Sequence, residues 1–64
     1  MQISSTMDLD ALIARMSDHV DVDRGDARRM RDLLVAAGYA GQATSDVPAT
    51  EWLAMLAEAV EHEA

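Results

Sequence analysis

Three separate stretches of this chain repeat apolar side chains at helical spacing, and no stretch alternates apolar and polar residues long enough to make a strand. In the first, Leu9, Leu12, Ile13, Met16 and Val20 fall on one face. Ser5 or Thr6 can cap its start, and Asp8 and Asp10 sit in a first turn where the helix dipole favours anions. The pattern predicts a helix over about residues 7–19. A short acidic connection follows, Asp21-Val22-Asp23. Asp23 then opens a second helix, with Asp26 three residues on in the position of a capping box. Ala27, Met30, Leu33, Leu34 and Ala37 make its stripe and Gly38 supplies a C-terminal cap, so this helix is expected over about 24–37. Pro48 is tolerated only in a first turn, which sets the third helix to begin near Asp46 or Val47. Its stripe is Trp52, Leu53, Leu56, Ala59 and Val60, over about 47–62. Only Met1 to Ser4 offers an extended start.

The expected fold is therefore all-α: a single small domain over 1–64, built as a compact three-helix bundle. Trp52 should lie in its core beside Leu56, Leu12 and Leu33 or Leu34. The chain has 64 residues, one Trp, one Tyr and no Phe or Cys. A core of this size supplies roughly 3–5 kcal/mol without a staple, and disulfides and thiolate zinc sites are excluded. Self-association or docking on a larger partner is the remaining way to bury more surface.

Charge is the main clue to that partner. Twelve acids face five basic residues, all arginine, for a net charge of −7. The charge is also segregated: residues 1–23 are strongly acidic, 24–37 carry four of the five arginines, and 38–64 contain no Lys or Arg. At 100° per residue Arg24, Arg28 and Arg31 share one side of the second helix with Val35, opposite Leu33. The structural account of these arginines is a helix clamped between acidic neighbours by ion pairs of ~0–1 kcal/mol each. A compact acidic surface repels nucleic acid and attracts basic protein surfaces, including grooves that hold nucleic acid. The bland account of the same acidity is an adaptation to solvation.

Motifs for chemistry are lacking. Asp21-Val22-Asp23-Arg24-Gly25-Asp26 departs from a calcium loop, with the glycine one place early and Asp32 where a Glu is needed. Arg24-Gly25-Asp26 is an adhesion tripeptide by chance. His19 and His62 have no further ligand at metal-site spacing, and no nucleophile triad or phosphate loop is present. No catalytic residue, metal site or cofactor is expected, and the chain is not expected to be an enzyme. No segment is long enough to span a membrane, and Met1 to Thr6 lacks the basic start and apolar run of a secretory signal, so a cytoplasmic protein is expected.

The candidate contact residues are the acids that capping and in-helix pairing leave unexplained. Asp18, Asp21 and Asp23 cluster at the first connection, although Asp23 also serves as a cap. Glu51 and Glu58 share a face of the third helix with His62, without a basic partner in that helix, and with Met55 among them as an adaptable apolar anchor. Met55 can equally pack on a neighbouring helix.

The chain resembles the small acidic anti-CRISPR proteins that phages and mobile elements direct against multi-subunit, type I CRISPR complexes. The resemblance lies in the short first helix and in Asp23-Arg24 leading to Arg29-Met30 and Leu33-Leu34. It continues from Thr44-Ser45-Asp46 to Glu51-Trp52-Leu53-Ala54-Met55-Leu56. It implies non-catalytic inhibition in the host bacterial cytoplasm, by docking on a Cas subunit and blocking target DNA, with no direct contact to nucleic acid. The arginine cluster of the second helix departs from what a pure DNA mimic needs. Two alternatives stay open: a small acidic regulatory or assembly module that forms a homodimer through the Val35 or Met55 face, and a helix-turn-helix-like regulator with Arg24, Arg28, Arg29 and Arg31 facing DNA.

Overall fold

Each helix begins and ends where the backbone's unpaired polar groups find partners, and those stops set the architecture. The structure, a computed structural model, describes residues 5–61. The expected extended start at Met1 to Ser4, His62 and the end of the third helix at 62 lie outside them. Helix α1 spans Leu9–Met16, α2 Arg24–Ala36 and α3 Ala49–Glu61, with a single 3₁₀ turn at Thr44–Asp46. Among the described residues there is no strand beyond an isolated bridge between Ser5 and Ala43. The chain is an all-α three-helix bundle.

α1 is shorter than its apolar pattern. Its cap is Asp8, whose carboxylate accepts from the amides of Asp10 and Ala11, rather than Ser5 or Thr6. Thr6 is fully buried instead, and its hydroxyl donates to the Tyr39 carbonyl at 2.6 Å, pinning the chain start to the loop beyond α2. The helix stops at Ser17, so Val20 loses the helical phase and is 41% exposed rather than part of the core. Asp18 and Asp21 follow at the negative end of the helix dipole, where further helical turns would be disfavoured.

α2 matches its signals closely. Asp23 accepts from the Asp26 amide at 2.9 Å and Asp26 accepts from the Asp23 amide at 3.2 Å, a complete capping box. At the other end Gly38 takes φ +94°, and the Gly38 and Tyr39 amides donate back to the Val35 and Leu34 carbonyls. That pair of bonds is a Schellman stop, and it needs the left-handed residue that glycine provides. α3 begins at Ala49, three residues after Asp46, the earliest expected start. Val47 stays extended (φ −81°, ψ 122°), because the residue before a proline is pushed out of the helical region. Pro48 thus precedes the helix and its carbonyl accepts from the Trp52 amide at 2.8 Å.

α2 packs against both α1 and α3. The core is Leu12 and Met16 from α1, Ala27, Met30 and Leu34 from α2, Val47 from the loop, and Trp52, Leu56 and Ala59 from α3. Leu33 packs on its edge. Leu53 was expected inside but is 48% exposed, since one residue beyond Trp52 turns the side chain about 100° away. The Cα radius of gyration is 10.5 Å, against about 10.7 Å for a folded chain of this length.

Arg15 completes the core from outside. Its guanidinium lies over the Trp52 ring, 4.2 Å from the ring centroid. The same group donates to the carbonyls of Thr44 and Val47. One side chain therefore joins α1, the 3₁₀ turn and α3. The indole N–H of Trp52 is enclosed and finds no acceptor among the described residues, so ring burial and the cation above it must outweigh that desolvation. In denaturant unfolding, Trp52→Ala should lose ~3–5 kcal/mol, enough to unfold the domain. Arg15→Met keeps the stem but removes the cation and both bonds, and should lose about 1–3 kcal/mol. An Arg15→Met variant as stable as the parent would make this contact incidental.

Candidate functional site

The arginines come first, because what they bind decides which acids remain. Arg15 is held over Trp52. Arg29 donates through Nε to the Ala59 carbonyl at 2.9 Å and through Nη2 to Asp26. Arg24 pairs with Asp10 at 3.1 Å, but with both side chains well exposed that pair contributes ~0–1 kcal/mol. Arg28 is exposed and Arg31 half-buried, and neither has a carboxylate partner among the described residues. Of the four α2 arginines offered to DNA by a helix-turn-helix account, Arg29 is turned into the α2–α3 seam and Arg24 is occupied across to α1.

The acids divide by what they already do. Asp8 and Asp23 cap helices, Asp26 closes the capping box and holds Arg29, and Asp10 meets Arg24. Asp18 and Asp21 are exposed on the turn after α1, and their carboxylates make no hydrogen bond or ion pair among the described residues. Asp18 edges a shallow groove with Ala11, Ala14, Arg15, Thr44 and Ser45. Asp18, Asp21 and Asp23 all lie exposed on the connection between α1 and α2.

Glu51, Met55 and Glu58 form a second line, along α3. Glu51 accepts from the Tyr39 hydroxyl at 3.0 Å, so it also ties the loop after α2 to the start of α3. Met55 is half-buried and packs against the core, leaving part of its side chain at the surface. Glu58 is exposed, without an internal partner among the described residues, and borders a cleft shared with Arg29, Asp32 and Leu33 of α2. His62, expected on this face, lies outside the described residues.

Tyr39 and Asp32 were missed by sequence reasoning. The signal for Tyr39 was present: it follows the Gly38 stop, which returns the chain toward the start of α3. Asp32 carries no signal beyond its place one residue before Leu33. Among the described residues no three His, Asp or Glu side chains converge as a metal would need. No helix among them is long and apolar enough to cross a membrane. No known protein family, curated protein or solved structure matches the chain.

The Glu51 hydrogen bond, with some desolvation and the nearby negative charge, raises the pKa of Tyr39 above its ordinary 10.0. A raised pKa in the folded state favours the neutral phenol. The contact's contribution is therefore fully present below pH ~10 and lost as pH rises through the raised value. As the chain has one tyrosine, absorbance titration of phenolate reads this site alone. The midpoint should lie above 10.0 and fall toward it in Glu51→Gln. An unchanged midpoint in that variant would mean the two side chains do not meet in solution.

Proposed function

We propose that the chain is a non-catalytic binding protein that offers an acidic helical surface to a basic, nucleic-acid-holding groove of another protein. The observation that carries this proposal is the uneven fate of the charges. Three of the five arginines, Arg15, Arg24 and Arg29, are engaged within the fold and only Arg28 and Arg31 are left without an acid, whereas the side chains of Asp18, Asp21 and Glu58 have no internal partner among the described residues. Carboxylates held at the surface by this helical frame, on the turn after α1 and on α3, can pair with the Lys and Arg side chains that otherwise hold phosphates. Binding then excludes nucleic acid by occupying its site, one copy per site, with no turnover. The resemblance to anti-CRISPR proteins makes a Cas subunit of a type I effector, in the cytoplasm of a bacterial host, the first partner to test.

Two other functions have less support. A DNA-binding regulator would need α2 free to enter a groove, yet α2 is the middle helix, packed on both α1 and α3. Its acidic flanks would also repel phosphates within about a Debye length, ~8–10 Å. A homodimer has exposed Val35 and Leu53 to use, at 42% and 48% exposure. Each copy brings a charge of −7 to that contact, which opposes self-association.

Charge reversal tests the proposal. Asp18→Lys/Asp21→Lys and Glu58→Lys should leave the circular dichroism spectrum unchanged. Against purified type I effector, each should weaken capture roughly tenfold or more and restore target DNA binding. Parent-like inhibition by both variants would reduce the acidity to solvation, and no capture of the effector by the parent would remove the CRISPR partner.

A further inference from the structure

We infer that the cleft between α2 and α3 is a receptor for a single arginine side chain of the basic partner. The inference rests on the acidic docking proposed above and specifies where that contact is selective. The cleft has a volume of about 250 Å³ and is lined by Arg29, Asp32, Leu33, Glu58 and Ala59. Each helix contributes the same adjacent pair, an acid beside an apolar residue: Asp32-Leu33 from α2 and Glu58-Ala59 from α3. Leu33 is half-buried and Ala59 buried, so they make an apolar floor, while both acids are exposed at its sides. Arg29 forms the remaining wall, with its guanidinium engaged by Asp26 and the Ala59 carbonyl.

An apolar floor between two carboxylates selects one cation chemistry over the other. A guanidinium is planar and weakly hydrated, carries donors along more than one edge, and has a methylene stem that can cover Leu33 and Ala59. Its fork can meet carboxylates from both sides of a cleft. A lysine ammonium is a compact, strongly hydrated point charge that gains little from the floor. The Asp18–Asp21 patch sits on an exposed turn beside a shallow groove that Ala11, Ala14 and Arg15 also line, with one carboxylate in that lining rather than two, and should attract either cation alike.

The probe is a capped peptide of alternating arginine and glycine, compared with its lysine counterpart of equal charge. Each is titrated into the isotope-labelled protein and followed by amide NMR. The arginine peptide should move the amides of Asp32, Leu33, Glu58 and Ala59 first and bind about fivefold tighter than the lysine peptide. Asp32→Asn/Glu58→Gln should weaken it roughly tenfold, with circular dichroism confirming the fold, while Asp18→Asn/Asp21→Asn should change it less than about twofold. Equal binding of both peptides, with shifts spread over all the acids, overturns the cleft and leaves the acidic docking standing. Failure of both peptides to bind overturns the two together.

Discussion

The bundle depends on one ring and the cation that covers it. With a single tryptophan and no phenylalanine, Trp52 is the largest fully buried side chain in a very small core. Arg15 lies across its face and reaches the carbonyls of Thr44 and Val47. The loop between α2 and α3 has little apolar content to fix it. Val47 beneath it and Arg15 beside it do that work, together with Thr6 against Tyr39 and the Tyr39–Glu51 bond. Losing the Arg15 contact would loosen the entry to α3, and with it the placement of Trp52 itself.

That arrangement also settles the charge balance at the surface. Arg15 is turned toward an aromatic ring and two carbonyls, Arg29 is held in the α2–α3 seam and Arg24 meets Asp10, while Arg28 and Arg31 pair with no acid among the described residues. The acids differ in what they do within the fold, Asp10 meeting Arg24 and Glu51 holding Tyr39. Asp8, Asp23 and Asp26 stabilise helix starts, so altering them would disturb the fold as well as any contact. Asp18, Asp21, Asp32 and Glu58 do neither, and like charges left uncompensated on a small domain oppose its compact state. A cationic surface of the proposed partner would relieve that repulsion. The link from sequence to function thus runs through where the arginines go.

Much of the fold was legible because its signals are local. The capping box at Asp23 and Asp26 and the glycine stop at Gly38 act within one turn, and the sequence displays them directly. The α1 boundary was less legible: Val20 sits in register with the apolar stripe, but the acidic run after Ser17 ends the helix first. Leu53 looked like core because hydrophobicity alone cannot say how wide a buried stripe is. Arg15 was illegible as a partner, since it acts across more than ten residues on groups that only tertiary packing brings near, and for Tyr39 only its place after the Gly38 stop was visible. Of the candidate contact residues, the sequence separated Asp18 and Asp21 from the caps, but Asp32 emerged only once α2 and α3 were laid side by side.

The central claim is that the surface acids are surplus to the fold. It is tested most directly by urea unfolding as sodium chloride rises from about 0.01 to 0.15 M, over which the Debye length falls from roughly 30 to 8 Å. Screening should relieve repulsion among uncompensated carboxylates, so the unfolding midpoint should rise with salt. A midpoint that falls would contradict the account, because it would mean that attractive ion pairs dominate and the acids serve the fold itself.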